Sequence, residues 1–225
     1  MSFTTGDARA ELGALCARGL DWAVDPSRML PDLSGARRSA VLVLFGVLDS
    51  APSQAVGRVG RDLDVLLQRR SATMGHHPGQ ISFPGGGVEA SDRDITATAL
   101  REAVEETGLD PDGVEILGTL PDLAIPASNN LVTPVLAWWT RESQVAAVDQ
   151  REAVEVFRVP VADLLEPGNR ASVEHLLDAR TFRTPAFTVN GALVWGFTAI
   201  VLSRLFDELG WTVPWDHSRT VHPQR

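Results

Sequence analysis

The sequence predicts an α/β domain in which a mixed β-sheet is sandwiched between α-helices. Short apolar runs rich in Val, Ile and Leu recur along the chain, with helical patterns between them. They do not keep a strict βαβα alternation, which favours a mixed sheet covered on both faces. One helix, Asp94 to Thr107, carries start and stop signals at its two ends, and a second, Trp195 to Leu209, is amphipathic and ends at Gly210.

Each element follows from its own residues. Ala8 to Trp22 suits a helix, with Leu12, Leu15 and Leu20 roughly on one side; Asp25-Pro26 and Leu30-Pro31 then break it. Strands are expected at Val41–Phe45, Leu63–Gln68, Ile81–Phe83, Val114–Leu120, Val132–Trp138 and Val154–Val159. Asn129 and Asn130 mark a turn, and Val161–Leu165 suits one helical turn after Pro160. The organisation expected is an extension over 1–39, a domain over 40–210 and a tail over 211–225. Residues 1–39 are candidates for a partner contact or a homodimer arm.

Composition bounds the function. The chain has 225 residues, of which 44% are hydrophobic, enough to bury a core and to exclude a disordered chain. The single Cys16 excludes a disulfide framework and a cysteine-based zinc site. Twenty basic residues, all Arg, stand against 29 acids, a net charge of -9, which argues against nucleic acid as partner. The acidity is local: residues 89–115 hold nine acids and two Arg, contributing −7 and leaving −2 elsewhere. No apolar run reaches the ~18–20 residues of a membrane span. Asp7, Arg9 and Glu11 give no basic-then-apolar leader, so a cytoplasmic protein is expected.

Residues 84–109 carry the chemistry. Ser91 and Asp92 signal a helix start, and Gly108-Leu109 a stop with a left-handed glycine and an apolar clamp. Glu102, Glu105 and Glu106 fall within an arc of roughly 100°. Ala97, Leu100, Val104 and Thr107 lie opposite and are expected to dock on the core. A solvated acidic face is the plainer reading of the three carboxylates. Against it stand Gly85, Gly86 and Gly87 just upstream, where backbone can approach a ligand closely. Hard cations such as Mg²⁺ take one or two carboxylates together with substrate phosphates.

The segment Gly87, thirteen residues, then Arg101-Glu102-Ala103-Val104-Glu105-Glu106-Thr107-Gly108-Leu109 resembles the Nudix box, G-x5-E-x7-R-E-U-x-E-E-x-G-U, where U is bulky and aliphatic. Ala103 is small for its U position, and Arg93 replaces the first Glu, with Asp92 one position early. The flanks resemble the coenzyme A pyrophosphatase branch: Leu66-Leu67-Gln68-Arg69-Arg70-Ser71, then His77-Pro78-Gly79-Gln80-Ile81-Ser82-Phe83-Pro84-Gly85-Gly86. Val132-Thr133-Pro134, Glu152 with Phe157 to Pro160, and Trp195-Gly196 with Thr198-Ala199 extend the likeness over about residues 40–209. Gly75 and Met74 stand where that branch has Arg and Leu.

The resemblance implies a Nudix fold and metal-dependent hydrolysis of a nucleoside diphosphate linked to another group. The substrate it suggests is coenzyme A or an acyl-coenzyme A, cleaved to 4′-phosphopantetheine and 3′,5′-ADP with Mg²⁺ or Mn²⁺. It implies Glu102 and Glu106 as metal ligands, Glu105 as a third or water-mediated one, and a backbone carbonyl of Gly86 or Gly87. Arg101 would orient a carboxylate through its guanidinium fork. Glu152 sits at the loop position of the general base, with Glu155 the less favoured neighbour. Arg69, Arg70, His77, Gly85 and Gly87 are the candidate substrate contacts. Gly75 keeps open a broader nucleotide pyrophosphatase acting on ADP-ribose, NADH or a dinucleotide. A ligand sensor without turnover would be expected to have lost box carboxylates, and all three are present.

Overall fold

The computed structural model describes residues 5–22, 35–47, 63–72, 78–177 and 180–223. Strand β1 (Arg37–Val47) contains the run Ala40 to Phe45, apolar at every position, and such a run suits a strand buried on both faces. It occupies the centre of the main sheet. β2 (Leu63–Arg70) pairs antiparallel with its C-terminal half and β7 (Asn130–Trp139) runs parallel to it on the other side. β3 (Ile81–Ser82), β5 (Val114–Thr119) and β8 (Ala153–Pro160) extend the sheet, with strand order β3-β2-β1-β7-β5 and β8 on β2. Two short strands add to it: β4 (Gly85–Gly87) pairs with the first half of β1, and β6 (Leu123–Ile125) with β7. One parallel pair among antiparallel ones makes the sheet mixed, as expected.

Helices cover both faces. α2 (Ile95–Thr107) packs Ala99 and Ala103 against Ala40, Leu42, Leu44 and Val135. The opposite face meets α1 (Thr5–Arg18), α3 (Val161–Leu165) and α4 (Gly196–Glu208), around Val43, Phe45, Leu67, Val201, Leu205 and Phe206. No helix among the described residues is long and apolar enough to cross a membrane.

Several expectations need correction. α1 stops at Arg18 rather than Trp22, because Gly19 turns left-handed at φ 70°. Leu12 and Leu15 of this helix are fully buried in the core, and Gly118 of β5 leaves the room that the Cys16 side chain occupies. A second sheet lies where no strand was expected: β9 (Arg170–Leu177), β10 (Arg180–Val189), β11 (Ala192–Val194) and β12 (Thr220–Val221), in order β11-β10-β9-β12. Arg170 and Ser172 are buried in β9, so its sequence lacks the apolar alternation that announces a strand. The turn was legible. Asn190-Gly191, both at positive φ, joins β10 to β11 with Val189 opposite Ala192. The tail is also part of the fold, since Trp211 is buried and β12 pairs parallel with β9.

If α1 completes the core, Leu15→Ala costs about 2–5 kcal/mol of stability. Urea unfolding measures this, and a loss below about 0.5 kcal/mol, the range of surface substitutions, would show α1 to be a dispensable arm.

Candidate active site

Asp94 rather than Ser91 or Asp92 caps α2: its carboxylate accepts from the Ala97 amide at 2.8 Å. At the other end Gly108 is left-handed, its amide reaches the Val104 carbonyl, and Leu109 is buried, as the stop signal predicts. The docked face differs from the expected one. Thr98, Ala99, Ala103, Glu106 and Thr107 are the buried residues of α2, while Ala97, Leu100 and Val104 are only partly covered. The small Ala103, unusual for its box position, sits fully buried at the contact with β1.

This rotation separates the three carboxylates. Glu106 is 5% exposed and points into the helix–sheet interface. Its Oε2 accepts from the Gln68 side-chain amide at 2.7 Å and from the Gly85 amide at 2.8 Å. Burial pushes its carboxyl up to about 7, against the opposing pull of those two donors and of Arg70. The Glu102 side chain is 16% exposed, and burial raises its carboxyl too, with Arg101 opposing and the charges of Glu105 and Glu152 adding. Glu105 is the outermost, its side chain 55% exposed.

Arg101 binds the segment together. Its Nε and Nη2 hold Asp92 at 2.9 and 3.1 Å, Nη1 reaches Glu102 at 3.0 Å and Glu105 at 3.1 Å, and Nη2 reaches the Gly87 carbonyl at 2.9 Å. Asp92 also accepts from the Glu89 amide and the Thr98 hydroxyl, each at 2.8 Å. The Arg101 guanidinium, then those bonds, hold the Asp92 carboxyl well below the usual carboxylate range. Asp92, one position early, thus anchors the loop where Arg93 replaces the box Glu.

Glycine is sterically required at Gly85, against backbone, while at Gly86 its absence of a side chain leaves room for a carboxylate. A Cβ on Gly86 would overlap the Glu102 carboxylate, and one on Gly85 would overlap the Ala40 carbonyl. Gly87 has open space around it, and its backbone serves Arg101. Strand alternation separates Arg69 from Arg70. Gln68 stands opposite Ser82 and faces Glu106, so Arg70, two residues on, shares that face. Arg69 stands opposite the core residue Ile81, faces the other way and pairs with Glu155 at 3.1 Å. This places Arg69 on the face of β2 opposite the one that carries Gln68 toward Glu106. His77, like its neighbour His76 and the departure at Gly75, lies outside the described residues.

The loop that carries Glu152 is tied to the end of α2, and the Glu152 charge acts on Glu102. The Ala146 amide caps the Thr107 carbonyl and the Val148 amide caps the Glu106 carbonyl, tying the stretch after β7 to the end of α2. Glu152 then bonds by its own carbonyl to the Ser71 amide. The sequence reading missed Gln68, a fully buried amide at the end of an apolar strand, and the anchoring role of Asp92. The signal for Gln68 was the same-face series Leu66, Gln68, Arg70, which turns polar toward the carboxylates.

Residues 52–179, more than half of the chain, match the family model of the NUDIX domain. The chain belongs to the Nudix hydrolase family. It is 31% identical over 152 residues to proteins of Salmonella paratyphi B and Salmonella newport described as uncharacterized Nudix hydrolase NudL, covering 65% of this chain and 75% of each relative. Solved structures with partial likeness include a MutT/nudix family protein from Enterococcus faecalis (19% identity, 93% of this chain and 76% of that one, TM-score 0.48). Another is the NUDIX domain of Shewanella oneidensis NrtR in complex with ADP ribose (20%, 73% and 88%, TM-score 0.43).

Nudix hydrolases act on phosphoric anhydride bonds and generally need divalent metal ions. Among the described residues, no three His, Cys, Asp or Glu side chains already form a metal cage. What is present fits a hard cation that completes its shell with water and phosphate oxygens. Glu106 is a buried carboxylate with no ion pair among the described residues, and Glu102 lies one helical turn away against Gly86.

Glu106 makes the metal-free protein pH-sensitive. Its folded pKa of about 7 lies above the unfolded value of about 4.3. The folded state therefore keeps a proton that the unfolded state releases, and stability falls as pH rises through that window. Asp64, which burial pushes up to about 6, acts with the same sign. Glu106→Gln removes the larger part and is expected to stabilise the metal-free protein by about 1–3 kcal/mol at pH 8, with little gain near pH 4. Thermal melts across pH in chelator test this; an equal effect at both ends would show that Glu106 does not titrate in this window.

Proposed function

We propose that this chain is a metal-dependent diphosphohydrolase that cleaves the diphosphate of coenzyme A or an acyl-coenzyme A, giving 4′-phosphopantetheine and 3′,5′-ADP. The observation that carries the metal site is the Glu102–Glu106 pair packed against a glycine strand where a side chain at position 86 would overlap Glu102. Glu102 and Glu106 hold Mg²⁺ or Mn²⁺, with Glu105 directly or through water and the Gly86 carbonyl as the backbone donor. The Gly87 carbonyl is engaged by Arg101, which favours Gly86. A cation bound there supplies Lewis-acid polarisation of a phosphoryl oxygen and a more acidic water.

The chain's own residues do the rest. Arg101 holds Glu102 and Glu105 in place, and Arg70 meets the diphosphate charge from the sheet side. Glu152 takes a proton from water as the water oxygen bonds to phosphorus and the anhydride P–O bond breaks. The leaving phosphate carries away the electron pair. His77 joins the substrate contacts through its place in the flanking motif, and the backbones of Gly85 and Gly87 shape the floor.

The coenzyme A assignment rests on the flanking motif from Leu66 to Gly86. Gly75, where that motif has Arg, favours the second reading, a broader nucleotide pyrophosphatase acting on ADP-ribose, NADH or a dinucleotide. A panel of coenzyme A, acetyl-coenzyme A, ADP-ribose, NADH and a dinucleoside polyphosphate, each with Mg²⁺ and Mn²⁺, separates the two. Coenzyme A or its thioester should be preferred by at least about tenfold in kcat/KM, with both products identified by mass. Equal turnover across the panel, or none on coenzyme A, favours the second reading. In the same assay Gly86→Ala should lower kcat/KM about 10–100-fold on every substrate; retained activity would dissociate Gly86 from the site.

A further inference from the structure

We propose that Gln68 is a positioning residue for Glu106, holding one carboxylate oxygen on the sheet so that the other faces the metal site. This rests on the reading of Glu106 as a metal ligand. Both hydrogen bonds to Glu106, from Gln68 Nε2 at 2.7 Å and Gly85 N at 2.8 Å, end on Oε2. Among the described residues Oε1 accepts none. The carboxylate is thus fixed by one edge, which leaves a single oxygen for a cation.

The chemistry of the donor matters as much as its position. Arg101 already spans Asp92, Glu102 and Glu105. A second guanidinium or an ammonium on Glu106 would neutralise the carboxylate that a cation needs. An amide donates without carrying charge, so Glu106 is oriented while its negative charge stays available. Amide orientation shows that this bond governs Gln68. The residue is fully buried, and its Oε1 has no hydrogen-bond partner among the described residues. Turning the amide over would set Oε1 against Glu106 Oε2. A buried acceptor left without a donor is a cost to the fold, and it falls where a carboxylate must be held.

Manganese titration of the substrate-free protein, with free Mn²⁺ followed by its EPR signal, tests the proposal. Gln68→Met keeps length and packing and removes the donor. Its dissociation constant for Mn²⁺ should rise about tenfold, while the melting temperature in chelator stays level or increases because the partnerless oxygen is gone. Gln68→Lys places an ammonium on Glu106; it should raise that melting temperature and abolish Mn²⁺ binding. Parent-like Mn²⁺ affinity in Gln68→Met, with or without a lower melting temperature, overturns the positioning role and leaves packing alone. Glu106→Gln is measured alongside. If it too binds Mn²⁺ as the parent does, the metal-site reading itself fails and the role of Gln68 falls with it.

Discussion

The close seating of α2 on the sheet is the constraint from which the site follows. Helices usually stand 8–10 Å from their neighbours, at a spacing set by the side chains in contact. Here Ala99 and Ala103 of the helix pack against Ala40, Leu42, Leu44 and Val135 of the sheet, with a strand of three glycines at its edge. A larger residue at 103 would lift the helix, and any side chain at 86 would take the space of the Glu102 carboxylate. Small residues on both surfaces bring two carboxylates down onto a backbone edge. That explains why the aliphatic position of the box can be alanine in this chain: it is a spacer, chosen by the gap it must fill.

Within that contact the charges are treated unequally. Asp92, Glu102 and Glu105 share one guanidinium, and Asp92 takes the best of it, with two bonds and a carboxyl held well below its usual range. Arg101 is therefore first a fastener of the loop onto the helix and only secondarily a counter-charge. Glu106 receives neutral donors and sits in low dielectric, where an unpaired carboxylate is costly. The local excess of −7 in residues 89–115 is partly spent on scaffold, while Glu106 has no ion pair among the described residues.

The sequence carried the helix, its stop, the central strands and the identity of the acidic residues, because each is set by local patterns. Caps and stops depend on a few adjacent residues, and β1 declares its burial in one apolar run. It did not carry the rotation of α2. The arc of Glu102, Glu105 and Glu106 suggested a common outward face, yet hydrophobicity alone cannot foresee that an acid will be buried when an amide and a backbone N–H await it on the sheet. Arg69 and Arg70 were taken together for the same reason: composition does not tell which face of a strand a residue takes until the register is known. The second sheet was hidden by Arg170 and Ser172, buried polar residues that break the period, although Asn190-Gly191 announced its hairpin.

Helix α4 bears on the site although it begins beyond the residues matched by the family model. The Thr198 hydroxyl, in the first turn of α4, donates to the Ile81 carbonyl at 3.1 Å. Ile81 and Ser82 form β3, paired with Arg69 and Gln68, and the chain then runs through the buried Phe83 to Pro84, whose carbonyl accepts from Leu42. The stretch that presents Gly85 to Glu106 is thus pinned by β2, β1 and α4 before any ligand arrives. A carboxylate held from a support of that kind keeps its direction when a cation binds, so little ordering remains to oppose the binding. The C-terminal helix is in this sense part of the floor on which the glycine strand rests, and the boundary of the functional unit lies past the residues matched by the family model.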